Sequence, residues 1–271
     1  MTDQGTLHHY EAADGTELAY RRFGAGSGPP IVLCHGLIAN GRQFLADAAW
    51  FAERGNGVLV PDLRGHGLSG APGIEDRDGF SIPVMAADMI AMLDHAGADR
   101  VHWVGNSLGG IVALEMLGKS AARFASLAIF GTAFALDLPA LSAPVLPMAY
   151  RLGGKTLVSR LGAYATTGNA AARTLLADMA ADFDPRHGEA IVRHVRHYDL
   201  FANARDFTGP MLVLVCGRDH AVNLALKPAL KKLAGKPNLT VRELKLAGHC
   251  ANLDATEAFR AALEAFWDGI G

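Results

Sequence analysis

Short runs of apolar residues that favour strands alternate along the chain with longer stretches in which apolar positions recur three and four apart. Ile31 to Cys34, Gly57 to Val60, Val101 to Gly105, Leu127 to Phe130, Met211 to Cys216 and Leu239 to Leu244 read as strands. Gln43 to Arg54, Val84 to His95, Leu108 to Gly118, Leu224 to Ala234 and Thr256 to Trp267 read as helices. A strand that is apolar throughout is one buried on both faces, so the alternation predicts an α/β domain whose mostly parallel sheet carries helices on both sides. Ahead of it, His8 to Arg22, with Asp14-Gly15 in the middle, predicts an antiparallel hairpin leading the sheet.

The rhythm breaks between about Phe134 and Asp206. Leu136 to Tyr150 is interrupted by Pro139, Pro144 and Pro147, and Thr156 to Asn203 is rich in Ala, Leu and Arg at helical spacing. With no β-rich run until Met211, this stretch predicts inserted helices, a cap over residues 134–208 on a core formed by 1–133 and 209–271. A chain of 271 residues, half of them hydrophobic, suffices for one large core, and no repeat or low-complexity tract points to a second.

Charge narrows the choice of partners. Lys plus Arg is 25 against 27 for Asp plus Glu. That balance gives no broad field to draw in nucleic acid or an anionic membrane surface. The opening residues lack a basic region followed by an apolar run, and no apolar stretch approaches the roughly 20 residues of a bilayer span, so the expectation is a soluble, cytoplasmic protein. Three cysteines, Cys34, Cys216 and Cys250, fit a reducing compartment without disulfides.

The candidate chemistry sits where strands end. Gly105-Asn106-Ser107-Leu108-Gly109 follows a strand and opens a helix, the setting of a nucleophile elbow that exposes the Ser107 hydroxyl. A serine needs a base to take its proton, and His249, on the loop after Leu239 to Leu244, is placed for that. An acid must hold the imidazole, and Asp219 follows Met211 to Val215 in the turn Cys216-Gly217-Arg218-Asp219. The backbone N–H groups of Leu37, after Cys34-His35-Gly36, and of Leu108 are the expected oxyanion donors. Taken singly, Asp219 fits a turn or cap residue and His249 a hydrogen-bonded loop histidine. Only their joint order with Ser107 points to catalysis.

With these residues in hand, the chain resembles the α/β-hydrolase family. The likeness is carried by His35-Gly36, by Pro61-Asp62-Leu63-Arg64-Gly65-His66-Gly67-Leu68-Ser69, by the elbow, and by the Asp219 and Gly248-His249 loops, in the family order serine, acid, histidine. It spans nearly everything but the cap. The resemblance implies the α/β-hydrolase fold with eight strands, a triad at their carboxyl ends, no cofactor and no metal, and a branch shared by esterases, enol-lactonases and haloperoxidase-like perhydrolases. Asn223 stands where the family often has a proline four residues after the acid, and His220 lies directly beside Asp219. Asp137 is an alternative acid, because some members place it after the earlier strand. A pocket lined by Leu37, Leu108, Phe134, Leu136, Met148 and Leu152 favours a small-molecule ester or lactone. Dehalogenase and standard epoxide-hydrolase chemistry are disfavoured, since those relatives carry a carboxylate where this chain has Ser107. Carbon–carbon bond hydrolysis, perhydrolysis, and a receptor that keeps the triad with little turnover stay open. A metal site at the three cysteines and their neighbouring histidines lacks paired ligand spacing. Arg64 and His66 read as structural, and oligomeric state is not legible.

Overall fold

The computed structural model describes residues 4–76, 78–139 and 145–270. The elements run β1 (Thr6–Glu11), β2 (Glu17–Phe23), β3 (Ile31–Cys34), α1 (Leu45–Ala52), β4 (Val58–Asp62), α2 (Ile82–His95), β5 (Val101–Asn106), α3 (Leu108–Ser120) and β6 (Phe124–Phe130). After a short strand β7 (Ala135–Asp137) come α4 (Val145–Gly153), α5 (Lys155–Thr166), α6 (Ala170–Asp182), α7 (Pro185–Val195), β8 (His197–Asp199) and α8 (Phe201–Asp206). The chain then returns to the sheet with β9 (Met211–Cys216), α9 (His220–Lys232), β10 (Leu239–Leu244), α10 (Ala251–Asp254) and α11 (Thr256–Asp268).

Eight strands form one sheet in the order β1-β2-β4-β3-β5-β6-β9-β10. From β4 across to β10 every pairing is parallel, while β2 runs antiparallel to both β1 and β4. The hairpin predicted around Asp14-Gly15 is that leading edge. Period-two alternation splits each central strand between two cores. Val32, Trp103, Leu127, Ile129 and Val213 pack with α2, α3 and α8. Ile31, Val104, Ala128, Phe130 and Leu214 pack with α1 and α11 on the other face. This two-sided burial is why the strand sequences read as unbroken apolar runs.

All five helices α4–α8 fall between β6 and β9, where the strand rhythm stops. Of the three prolines expected to interrupt this region, Pro139 follows β7, Pro147 falls in the first turn of α4, and Pro144 lies outside the described residues. The two-stranded β7–β8 ribbon, pairing Ala135–Asp137 with His197–Asp199, was not predicted. Its strands are three residues each and some sixty residues apart, so no local pattern announces them. Among the described residues no helix is long and apolar enough to cross a membrane.

Candidate active site

Because every parallel strand points the same way, the loops after β3, β5, β6, β9 and β10 meet at one edge of the sheet. Ser107 stands between β5 and α3 with φ 49° and ψ −110°, a conformation that L-residues avoid and that costs about 1–3 kcal/mol. It is held by the Ser107 N–H to the Phe130 carbonyl (3.0 Å) and by the Gly109 N–H to the His35 carbonyl (3.0 Å). The flanking glycines serve close approach, not the turn angle itself. A Cβ on Gly109 would lie 2.4 Å from the Cys34 carbonyl oxygen, and one on Gly105 would lie 2.6 Å from the backbone at Gly109–Gly110. The tight contact of helix on strand forces the turn onto the serine.

Asp219 and His249, thirty residues apart on the β9 and β10 loops, meet with Asp219 Oδ2 at 2.6 Å from His249 Nδ1. That contact fixes the imidazole with Nδ1 protonated and leaves Nε2 as a base. The Asp219 side chain is 9% exposed and the His249 side chain 30% exposed, so the pair is shielded but reachable. The acid loop is closed by Asn223, whose amide donates to the Cys216 carbonyl at 2.7 Å, so the residue standing where the family often has proline stabilises the turn by a bond instead of a ring. His220 is exposed at the start of α9. Asp137, the alternative acid, lies exposed on the β7–β8 ribbon and pairs with His197 Nδ1 at 2.8 Å.

Leu37 follows Gly36 in the loop after β3, and a Cβ on Gly36 would lie 3.3 Å from the Ser107 Cβ, so this loop passes directly over the serine. Leu108 opens α3, where a first-turn N–H has no acceptor within the helix. Leu37 and Leu108 thus belong to the two segments that adjoin Ser107.

A polar network missed in the sequence holds these loops in register. Asn106 Nδ2 donates to the carbonyls of His249 (3.0 Å) and Phe130 (3.3 Å). Its Oδ1 accepts from Gln43 Nε2 at 3.0 Å, and the same amide donates to Asn252 Oδ1 at 3.1 Å. Asn252 Nδ2 donates to Asp47 Oδ2 (3.0 Å), and Arg260 Nε to Asp47 Oδ1 (2.7 Å). The Asp254 carboxylate accepts from the Gly248 N–H at 2.7 Å and from the Thr167 hydroxyl, tying the histidine loop to the corner between α5 and α6. Gly131 lies beneath the imidazole, where a Cβ would meet His249 Cε1 at 3.1 Å. Apart from Asn106, which adjoins the nucleophile, no motif signals these residues, since they come from six separate loops and helices.

The loop after β4 is structural, as expected for Arg64 and His66. Asp62 accepts from the N–H groups of Gly41 (2.6 Å) and Leu68 (2.8 Å). Buried Arg64 grips Asp88 with two bonds of 2.6 Å. His35 joins this scaffold by accepting from the Leu63 N–H at 3.0 Å. Cys34, Cys216 and Cys250 are buried free thiols, and burial pushes Cys216 up to about 12. Among the described residues no group of three His, Cys, Asp or Glu side chains is arranged to hold a metal.

A cavity of about 160 Å³ opens beside His249, walled by Gly36, Leu37 and Ala39 on one side and by Tyr150, Val158, Gly162 and Leu176 of the inserted helices on the other. Of the pocket residues expected, Leu37 is in this wall, while Leu108, Phe134, Leu136, Met148 and Leu152 are not, and the wall holds His249 but not Ser107. Phe134 is fully buried in the core, and Met148 and Leu152 are 55% and 80% exposed. The inner faces of α5 and α6, with Tyr150 of α4, lie over the β3 and β10 loops, and Met148 and Leu152 fall on the outer side of α4. A larger cavity of about 610 Å³, lined among others by Arg21, Asp62 and His187, lies beyond Ala39 and has neither Ser107 nor His249 in its wall.

Comparison with known proteins agrees with this layout. Residues 31–262 match the model of the alpha/beta hydrolase family. Epoxide hydrolase A of Mycobacterium tuberculosis is 31% identical over 149 residues, 55% of this chain and 42% of that protein. The non-heme haloperoxidase of Rhodococcus erythropolis is 35% identical over 121 residues, 44% of this chain and 42% of that protein. The crystal structure of the enol-lactonase from Burkholderia xenovorans superposes with a TM-score of 0.82 at 23% identity, covering 96% of this chain and 100% of that one. At that identity the likeness speaks for the fold. The two sequence matches span about two-fifths of the relatives' length.

Proposed function

The chain belongs to the α/β-hydrolase family, and from that premise we propose that it is a serine hydrolase cleaving a carboxylic ester or lactone through an acyl-enzyme. The reading rests on the 2.6 Å contact between Asp219 and His249 at the sheet edge that also presents Ser107 on its strained turn.

In the proposed reaction Ser107 Oγ attacks the substrate carbonyl carbon as His249 Nε2 takes the hydroxyl proton. The carbonyl π electrons move onto oxygen, and the N–H groups of Leu37 and Leu108 stabilise that charge. Collapse of the intermediate expels the alcohol oxygen, which receives the proton from His249, and leaves Ser107 acylated. Water then loses its proton to His249, attacks the acyl carbon and releases the carboxylic acid as the proton returns to Ser107. Asp219 keeps the imidazole oriented and stabilises its charged form. Residues 134–208 act as a cap whose α5 and α6 faces shape an apolar acyl site, and the buried free thiols suit a reducing, cytoplasmic setting.

The relative named for epoxide hydrolysis does not redirect this reading, because the elbow here carries Ser107 and not a carboxylate. Incubation with a fluorophosphonate probe and with short p-nitrophenyl esters tests it. Labelling and turnover that both vanish in Ser107→Ala are the expected result. Labelling without turnover would turn the assignment toward a receptor or a narrow substrate, and a fully active Ser107→Ala would end it.

A further inference from the structure

The inserted helices carry an outer surface that the proposed reaction does not use. Between Asp137 and Asp178 the chain contains no acidic residue, yet it holds Arg151, Lys155, Arg160 and Arg173. Over the same stretch large apolar side chains stand in solvent: Met148 at 55%, Leu152 at 80%, Leu157 at 54%, Leu161 at 59% and Tyr164 at 64% exposure. Clustered exposure of this kind marks an interaction surface.

Helical spacing organises these residues. Leu157, Leu161 and Tyr164 recur four and three apart along one face of α5, while Val158, Gly162 and Thr166, in the cavity wall, occupy the opposite face. The α5 helix is therefore apolar on two sides, one turned to the cavity and one to solvent. Met148 and Leu152 share a face of α4, and Leu157 reaches toward Gly153 at its end, so the two outer faces adjoin. Arg151 and Arg160, both exposed, flank this strip. Of the acids on the neighbouring helices, Asp182 pairs with Arg42, Asp184 with Arg186 and Glu189 with Arg193, and among the described residues no ion pair joins Arg151 or Arg160 to Asp178 of α6.

We infer that the outer face of α4 and α5 is a docking surface for an anionic lipid bilayer, with Met148, Leu152, Leu157, Leu161 and Tyr164 entering the interface and Arg151 and Arg160 meeting the headgroups. Apolar side chains edged by cations, with no acid nearby, are the composition that holds a helix in the plane of such a surface. The charge of −2 over the whole chain does not oppose this, because attraction within a Debye length is set by the local face. A second copy is a poorer occupant. A two-fold contact through this face would gather Arg151 and Arg160 of both copies into one interface, while the stretch from Asp137 to Asp178 offers no acid between them to pair with. Docking would leave the cavity beside His249 separated from the lipid by the width of α5.

The test is co-sedimentation of the purified protein with vesicles of phosphatidylcholine alone or mixed with phosphatidylglycerol, at low and raised salt. It needs no turnover, so it stands apart from the ester assignment. The expected result is binding to the mixed vesicles that weakens with salt, with Arg151→Gln plus Arg160→Gln lowering affinity roughly 25-fold. Leu152→Ser plus Leu161→Ser should abolish sedimentation while leaving the thermal unfolding midpoint unchanged, since both side chains are exposed. Wild type remaining in the supernatant, equal binding to both vesicle types, or variants that sediment like wild type would overturn the inference. So would a dimer seen by sedimentation velocity and lost in the leucine variant, which would make a second copy the occupant.

Discussion

Single residues in the candidate site answer to two demands at once. Asn106 positions the His249 carbonyl and at the same time needs Gln43 to satisfy its own buried oxygen. Gln43→Leu would leave the Asn252 oxygen bare and the Asn106 oxygen with only the weak Cys250 thiol as donor, each loss costing about 1–3 kcal/mol. We predict a loss of about 2–5 kcal/mol in urea unfolding, together with a lower kcat, because the histidine loop loses its brace. A variant with wild-type stability would mean that water replaces the amide.

At the scale of elements, α9 begins at His220, four residues before the apolar pattern starts at Leu224. Its first turn, His220-Ala221-Val222-Asn223, forms because Asp219 is the N-cap, with Oδ1 accepting from the Val222 N–H at 3.4 Å while Oδ2 holds His249. One carboxylate therefore caps a helix and orients the base. Asparagine can cap but cannot stabilise an imidazolium. Asp219→Asn should keep the melting temperature near wild type while kcat falls by about 10³–10⁴. Asp219→Ala should lose the same activity and about 1 kcal/mol of stability besides. Equal melting temperatures in the two variants would show that the cap contributes nothing.

Over the whole molecule, two buried histidines contribute an acid-sensitive part of the fold's stability. Burial pulls His35 down to about 4 and His66, which also faces His35, down to about 3. His66 donates from Nδ1 to the Arg64 carbonyl at 2.9 Å, and its Nε2 is a buried nitrogen without a hydrogen-bond partner among the described residues. Both are neutral in the native state, whereas unfolded histidine takes up a proton near pH 6.5. Stability contributed by these groups is complete above about pH 6.5 and is lost as pH falls, at up to about 1.4 kcal/mol per pH unit for each. Urea unfolding between about pH 7 and pH 5 should reveal this slope. His66→Asn, whose amide can bond the same carbonyl, should reduce it by about one proton. An unchanged slope in that variant would assign the pH dependence to other groups.

The chain of residues by itself determined the parallel strands, the helices between them and the positions of Ser107, Asp219 and His249. Those features are written in short-range patterns: apolar runs that must be buried on both faces, helical spacing, and a strand-turn-helix motif whose members adjoin. The leading hairpin was legible for the same reason, through its local turn. Contacts between segments distant in sequence were decided by tertiary structure alone. The β7–β8 ribbon, the Gln43–Asn106–Asn252 network, the bond from Thr167 to Asp254 and the placement of α5 beside the His249 loop all join segments tens to hundreds of residues apart. Phe134, Met148 and Leu152 missed the cavity on that account. Periodicity fixes which face of a helix is apolar, but the packing of helix on helix fixes which apolar face turns inward, and α5 carries two.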